Sequence, residues 1–415
     1  MKNLVILGAG TAGTMMANHL VKKLNKKEWQ ITLVDQFKSH YYQPGFLFIP
    51  FGTYQPEDVK RTIDEFLPKG IQLIREKIDR IDKDTDTVIL ENGRNVKYDI
   101  LIIATGCKIA PEEVPGMKGD TWQKNIFDFY TFEGSCALAK KLETWPGGKL
   151  VVHITEMPIK CPVAPLEFAF LADDYFTKKG MRHKVEISYV TPLSGAFTKE
   201  KCTKALEYLL KDKNIKIVPD FAVEHIEGEN GKMFDYGGEV VDFDLLVTVP
   251  TNMGDECILR SGFGDDLNYV PTDKNTLQSK VKENIFVIGD ATNVPASKAG
   301  SVAHFEAEIL TENILKYIEG KPLNPEFDGH ANCFIETGKG KALLIDFNYD
   351  VEPLKGKFPF AGIGPLNLLE ESAFNHFGKM AFKWVYWNML LPARKIPFVT
   401  PTMSRAGKKF DEVEG

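Results

Sequence analysis

The chain is poor in cysteine, and its cysteines stand far apart. Six are spread over 415 residues, and the two closest in sequence are Cys136 and Cys161. This spacing excludes CxxC zinc sites, thioredoxin-type pairs, the closely spaced redox pair of the disulfide reductases and the CxxCH of c-type haem. We expect no metal site, and any paired cysteine chemistry must join residues from distant parts of the chain.

Long apolar runs and a strong charge imbalance are also missing. No apolar run approaches the roughly 20 residues that a membrane-spanning helix needs. The net charge of -6 gives no sign of nucleic-acid binding. The first residues resemble a signal peptide, but they are better explained as the first strand, loop and helix of a nucleotide-binding fold. We therefore expect no signal peptide and a position on the cytoplasmic side of a membrane.

The sequence does contain a glycine-rich phosphate-binding loop near its start. Gly8, Gly10 and Gly13 follow an apolar strand and precede a helix-like run. Such glycines permit a tight turn and let the backbone approach a pyrophosphate, which the free N–H groups of the helix bind. Asp35 ends the next predicted strand, where an acidic residue holds ribose hydroxyls. Together these features predict a dinucleotide site.

A second apolar strand, at residues 148–154, is not followed by such a loop. It continues into residues 155–162, where Cys161 stands and glycine is absent. We interpret the chain as holding one dinucleotide and using its second nucleotide-type fold for sulfur chemistry.

Cys161 precedes a predicted helix at residues 163–171. A helix N-terminus favours thiolate over thiol and Lys160 adds positive charge, so we expect a lowered pKa and a reactive thiol. Glu167 lies on the same helix and is either a proton acceptor for an incoming thiol or a solvated acid.

Cys333 lies in a predicted hairpin, since residues 331–347 form a strand, a glycine turn and a second strand. A cysteine at the head of an exposed hairpin is not explained by packing. The other four cysteines are expected to be structural thiols: Cys107, Cys136, Cys202 and Cys257.

Two further motifs indicate which dinucleotide is bound. One apolar strand ends in Ala104, Thr105 and Gly106, and another ends in Gly289 and Asp290. With the first glycine loop, these motifs resemble the flavoproteins that have two dinucleotide-binding domains. The resemblance implies FAD on the first loop, with Asp290 as one of its ligands.

The resemblance narrows at the two sulfur segments. Residues 161–167 (CPVAPLE) and 333–342 (CFIETGKGKA), with the flavin motifs, look like sulfide:quinone oxidoreductases over residues 1 to about 390. The likeness implies that Cys161 and Cys333 face the flavin and carry sulfur between them. The implied reaction oxidises sulfide to zero-valent sulfur or polysulfide and passes two electrons through FAD to a membrane quinone. Many members tether FAD through a third cysteine, which residues 125–131 lack, so we expect non-covalent FAD.

The carboxyl-terminal segment is aromatic and basic. Residues 372–409 contain seven lysines and arginines and no acid, and apolar residues recur at helical spacing. An amphipathic, basic helix with Trp predicts a segment lying in the membrane interface. Phe358, Phe360 and Tyr386 are candidates to sandwich a quinone. We expect a peripheral membrane protein, with homo-oligomerisation left open.

The predicted fold class is α/β, with two Rossmann-like domains and a carboxyl-terminal membrane-associating segment. We expect an FAD domain at residues 1–110 and 260–325, a second domain at 111–259, and the hairpin and membrane segment at 326–415.

Three other functions are alternatives to this one. A type II NADH:quinone oxidoreductase needs a second glycine loop, and a flavocytochrome c sulfide dehydrogenase would normally be exported. A non-catalytic flavin-binding sulfur carrier is the alternative from another class.

Overall fold

The computed structural model describes residues 1–360 and 362–409. The helices in these ranges are α1 (Thr11–Lys23), α2 (Phe132–Thr144), α3 (Ala164–Lys178), α4 (Glu200–Asp212), α5 (Glu256–Ser261), α6 (Gly300–Ile318) and α7 (Ala373–Val385). The strands are β1 (Lys2–Leu7), β2 (Trp29–Val34), β3 (Ser39–Tyr41), β4 (Lys60–Thr62), β5 (Gln72–Ile74), β6 (Ile78–Asp82), β7 (Thr87–Leu90), β8 (Asn95–Lys97), β9 (Ile100–Ile103), β10 (Cys107–Ile109), β11 (Ile126–Phe127), β12 (Gly148–Ile154), β13 (Val185–Val190), β14 (Ile215–Val218), β15 (Val223–Glu227), β16 (Lys232–Asp235), β17 (Val240–Asp242), β18 (Leu245–Val249), β19 (Asn252–Gly254), β20 (Ile285–Val287), β21 (Ala331–Gly338), β22 (Lys341–Phe347), β23 (Gly356–Phe358) and β24 (Leu366–Leu368).

The first sheet is wholly parallel, in the order β20-β9-β1-β2-β5. Its central strands are continuous apolar runs because parallel sheets are covered on both faces. Helices α1 and α6 pack on one face and on each other. The β6-β7-β8 meander packs on the other face. Four strands from the first 103 residues and β20, which lies far later in the chain, thus build one nucleotide-type sheet.

The turn from β1 into α1 depends on glycine. Gly8 has a φ of +97°, in the region that side chains disfavour. A Cβ on Gly13 would lie 1.8 Å from the carbonyl oxygen of Gly8, so α1 can approach β1 only without a side chain there. The loop therefore has the close packing that the glycine pattern predicts.

The second sheet is also parallel, in the order β11-β18-β12-β13-β14. Helix α3 follows β12 and α4 follows β13. The β15-β16-β17 meander lies beside this sheet. The antiparallel ribbon of β10 and β19 joins the two sheets, since β10 follows β9 and β19 follows β18.

A third, four-stranded sheet has the order β21-β22-β24-β23 and begins with the expected hairpin. Helix α3 packs on β21, and α7 packs on both β21 and β22. The hairpin is therefore covered by two helices, and the expectation from its sequence that it is exposed is wrong.

A single π-helical turn at Tyr386–Leu390 continues α7 back to the first sheet. The Tyr386 hydroxyl lies 2.7 Å from both Thr11 Oγ1 and His40 Nε2. Among residues 1–360 and 362–409, no helix has the length and apolarity needed to cross a bilayer.

The α/β fold class is confirmed. The domain boundaries at 1–110 with 260–325, 111–259 and 326–415 stay predictions. Residues 361 and 410–415 of the last range lie outside the described residues.

Gly13→Ala should lower the denaturation midpoint of the flavin-free protein. The clash with the Gly8 carbonyl costs about 1–3 kcal/mol, more than alanine gains in helix propensity. Gly119→Ala is the matched control, because its Cβ would meet no atom within 4 Å. Equal midpoints for the two variants in urea titrations would contradict the packing described here.

Candidate active site

The backbone around Cys161 is held from several sides. Cys161 has a φ of +43°, which is uncommon for a residue with a side chain. Its N–H donates to Lys298 O at 2.7 Å, and the Tyr130 hydroxyl donates to the carbonyls of Lys160 (2.7 Å) and Cys161 (3.2 Å). The Lys160 N–H donates to Asn252 Oδ1 at 3.0 Å. These bonds hold the backbone at Cys161 in one conformation.

The expected lowering of the Cys161 pKa is wrong. Burial raises the pKa of this thiol to about 11, and the nearby Glu167 carboxylate adds to the rise. Helix α3 begins only at Ala164, and the ammonium of Lys160 lies 3.2 Å from Gln43 Oε1. Desolvation thus outweighs the helix terminus, and the resting group is a thiol.

The structure brings Cys333 into the same electrostatic environment. Burial raises the pKa of the Cys333 thiol, and Cys161 is the next largest cause. Both thiols are free, and both interact with Lys379 and Glu167. The fold therefore places two half-buried thiols beside one shared carboxylate and one shared ammonium.

Glu167 and Lys379 form a buried ion pair. The Lys379 ammonium lies 2.8 and 3.1 Å from the two Glu167 oxygens and donates to Phe334 O at 2.8 Å. Glu167 also accepts from the Glu336 N–H at 2.9 Å and has no exposed surface, so it is not a solvated acid. Burial alone would lower the pKa of Lys379, but Glu167 and Cys161 outweigh that and raise it.

The role of Lys379 is not evident from the sequence, in which it is one of the basic residues of the predicted membrane segment. One feature of the sequence indicates that Lys379 faces the protein interior, because it lies on the side of α7 opposite the exposed aromatic residues. Its partner lies 212 positions away and could not be found by spacing.

A second acidic residue lies beside this pair. The Glu336 carboxylate oxygens lie 2.9 and 3.0 Å from His376 Nδ1. Burial raises the pKa of Glu336 to about 7, while His376 and Lys379 oppose the rise. Glu336 is almost wholly buried, whereas His376 is about one-third exposed.

The predicted flavin loop has the shape of a ligand cradle. A Cβ on Gly10 would meet no atom within 4 Å, so the loop backbone is open on that side. Asp35 accepts from the N–H groups of Ala9 (2.6 Å) and Phe37 (2.7 Å), and burial raises its pKa. The carboxylate thus holds the loop in place.

The other predicted flavin residues border open space or unpaired polar atoms. Position Gly106 is open, and the buried Thr105 hydroxyl beside Ala104 has no hydrogen-bond partner in the described part of the chain. Asp290 lies 3.9 Å from the Cys107 sulfur. An orphaned hydroxyl and open glycines fit a bound dinucleotide such as FAD.

Glu306 is a further residue that the sequence did not reveal. It accepts from the Gly289 N–H at 2.6 Å, and burial raises its pKa to about 8. Gly289 has a φ of +69°, so the turn before Asp290 combines a glycine conformation with a buried acid.

The three quinone candidates have different surroundings. Tyr386 is buried, with its hydroxyl bonded at the start of α1. Phe358 is partly buried in β23, while Phe360 is 51% exposed and packs on Phe398. Their binding of a quinone stays a prediction.

Comparison with known proteins finds a matching family model and several related proteins. The family model "Pyridine nucleotide-disulphide oxidoreductase" matches residues 2–152. The mitochondrial sulfide:quinone oxidoreductase of Dictyostelium discoideum is 28% identical over 400 residues, which cover 94% of this chain and 86% of that protein. The corresponding mouse protein is 25% identical over 394 residues, covering 93% and 86%.

A solved structure has the same fold. The sulfide:quinone oxidoreductase of Aquifex aeolicus superposes with a TM-score of 0.77 at 23% identity. The match covers 94% of this chain and 92% of that one. The overall arrangement of sheets described above is therefore shared with that protein.

Lys379→Met should destabilise the protein by about 3–5 kcal/mol, because it strands the Glu167 carboxylate in the core. The double variant Glu167→Gln with Lys379→Met removes both charges and should recover most of this loss. Lys204→Met breaks an exposed pair with Glu200 and should leave the urea midpoint unchanged. A double variant no more stable than Lys379→Met would contradict a paired buried charge.

Proposed function

We propose that this chain, a homologue of the sulfide:quinone oxidoreductases over more than nine-tenths of its length, oxidises sulfide and passes the electrons to a quinone. It is a flavin-dependent oxidoreductase. The observation that carries the sulfur chemistry is the pair of free, half-buried thiols, Cys161 and Cys333, around one buried ion pair.

The thiols perform the sulfur chemistry by exchange. Oxidation of Cys161 and Cys333 to a bridge releases two protons and two electrons. Hydrosulfide then attacks one sulfur of that bridge, leaving one cysteine as a persulfide and the other as a thiolate. A second sulfide removes the persulfide sulfur as a polysulfide. FAD, when bound, accepts the two electrons of each cycle.

Lys379 and Glu167 manage the charge of these steps. The buried ammonium opposes the rise in both thiol pKa values and so stabilises a thiolate when it forms. We propose that Glu167 accepts the proton of an incoming thiol, since its carboxylate lies close enough to raise the pKa of both cysteine thiols. The fixed backbone of Cys161 holds the nucleophile in one orientation.

We propose that FAD is bound without a covalent link. Gly8, Gly10 and Gly13 would hold its pyrophosphate, and Asp35 its ribose. The segment at 104–106, Gly289 and Asp290 would hold the rest. The open glycine positions and the unpaired Thr105 hydroxyl support this assignment.

The second sheet supports the choice against an NADH-dependent enzyme. In the loop after β12, Cys161 takes the place of a glycine-rich phosphate site, and its backbone is tied down by Tyr130 and Lys298. That loop leaves no glycine turn for a second dinucleotide.

We propose that α7 lies on a membrane surface, giving the quinone access. Phe374, Phe377 and Trp384 are 64%, 70% and 61% exposed along one face of this helix. Three of the basic residues bind carboxylates within the protein: Lys379 with Glu167, Lys383 with Asp58, and Lys408 with Asp346. The membrane contact is therefore more aromatic and less basic than the sequence indicated.

Sulfide should bleach the flavin band of the anaerobic protein rapidly, and NADH should not. In Cys161→Ser and Cys333→Ser, FAD should stay bound while sulfide-dependent bleaching is lost. Cys136→Ser is the control, because Cys136 is a half-buried thiol on α2. Near-normal bleaching by sulfide in either cysteine variant would refute the two-thiol mechanism. Bleaching by NADH would favour a type II NADH:quinone oxidoreductase.

Replacing Phe377 and Trp384 together by serine should weaken binding to liposomes by at least about tenfold. Each loses on the order of 1.5–3 kcal/mol of apolar burial, and about 1.4 kcal/mol corresponds to tenfold in affinity. Co-sedimentation measures the change, with Tyr208→Ser and Tyr236→Ser as controls at exposed aromatics elsewhere. Unchanged sedimentation of the double variant would exclude α7 as the contact.

A further inference from the structure

We infer that Glu336 and His376 form the pair through which the buried thiol site exchanges protons with solvent. The inference rests on the proposed function, in which oxidation of the two thiols releases protons. Burial raises the pKa of both thiols, so these protons need an acceptor near the site. His376 and Glu336 thus act through the thiols' neighbours and do not touch the reacting sulfur.

The geometry is that of a proton-transfer pair. His376 Nδ1 lies 2.9 and 3.0 Å from the two oxygens of Glu336, within hydrogen-bond distance. Glu336 is 1% exposed, whereas the His376 side chain is 35% exposed. An imidazole has two nitrogens and can receive a proton on one while releasing it from the other. The pair therefore connects the interior with the surface.

The same two elements build this pair and the charges at the thiols. His376 and Lys379 are three residues apart on α7, and so lie on one face of the helix. The Lys379 ammonium donates a hydrogen bond to the carbonyl oxygen of Phe334 on β21, two residues before Glu336. The Glu336 N–H in turn donates to Glu167. The proton-transfer pair thus lies directly beside the Glu167–Lys379 pair.

Glu336 has a role that Glu167 cannot fill, because Glu167 has no exposed surface from which a proton could leave the protein. Glu167 and Lys379 neutralise one another, so a new thiolate adds an uncompensated charge to the buried site. Removing that proton from the site requires an acceptor that can change its charge near neutral pH. Glu336 is such a group, since burial raises its pKa to about 7.

The groups that face Glu336 come from three other segments of the chain. His376 and Lys379 approach from α7 and lower its pKa, and Glu167 on α3 raises it. Tyr54, from the loop before β4, interacts electrostatically with both Glu336 and Lys379. Glu336 itself belongs to β21, whose Cys333 also interacts with Lys379 and Glu167.

The proton is conserved in each transfer. A thiol of the site gives its proton to Glu167 and becomes a thiolate, and Glu167 passes that proton to the Glu336 carboxylate, which becomes a carboxylic acid. The acid then gives the proton to His376 Nδ1, and the imidazolium releases a proton to bulk water. No electron moves in these steps, so no further oxidant or reductant is required.

The first test compares sulfide-dependent flavin reduction in Glu336→Gln and in the unaltered FAD-loaded protein from pH 6 to 8. Glutamine imitates the protonated acid, so the two rates should agree at pH 6. At pH 8 the unaltered protein should be about tenfold faster, because only its carboxylate can accept a proton. The ratio of the two rates cancels the ionisation of sulfide itself. A ratio independent of pH would overturn the inference.

The second test is chemical rescue of His376→Ala by imidazole. The variant should bind FAD and reduce it about tenfold more slowly at pH 8, and added imidazole should restore the rate. Imidazole should not rescue Glu336→Gln, in which the buried acceptor is missing. His183→Ala, at an exposed histidine of the second domain, should behave like the unaltered protein with or without imidazole.

The outcomes separate the inference from the function on which it rests. Flavin bleaching by sulfide in the unaltered protein, with unchanged rates in both variants, would overturn only the proton-transfer pair. Absence of bleaching in the unaltered protein would overturn the proposed function and the inference together. Slow reduction of His376→Ala that imidazole does not change would indicate a structural role and would also overturn the inference.

Discussion

The arrangement of the site depends on one buried ion pair. Glu167 of α3 and Lys379 of α7 meet at 2.8 Å, and both are bonded to the backbone of β21. Cys161 lies just before α3 and Cys333 lies in β21, so the pair connects the segments that carry these two cysteines. Each charge alone would be costly in this desolvated place, and each therefore requires the other. The ion pair thus sets both the relative position of the elements and the electrostatics of the thiols.

The second nucleotide-type sheet shows how topology can be kept while chemistry changes. The strand order and the helices after β12 and β13 belong to a doubly wound fold, whose ligands bind beyond the carboxyl ends of the strands. At that position this chain has a cysteine with a positive φ, held by Tyr130, Asn252 and Lys298. The fold sets the position of the site at the carboxyl ends of the strands, and the residues of the loops determine its chemistry.

Helix α7 has two faces with different tasks. Lys379 and His376 lie on the inner side and bind the acids Glu167 and Glu336. Phe374, Phe377 and Trp384 are exposed. One helix therefore adjoins the sulfur site and, in our proposal, the membrane from which the quinone comes. Its π-helical end reaches the predicted flavin loop through Tyr386 and Thr11, which adds a third connection.

The sequence alone determined the features that depend on neighbouring residues. The glycine loop at Gly8, the two apolar parallel sheets and the hairpin of β21 and β22 follow from local spacing and periodicity, and resemblance singled out Cys161 and Cys333. The tertiary structure decided the rest, because it depends on partners that are distant in sequence. Lys379 binds Glu167, which is 212 positions away in sequence, and His376 binds Glu336, which is 40 positions away. The Cys161 pKa rises because packing removes water, and a helix terminus visible in the sequence cannot show how much water is removed.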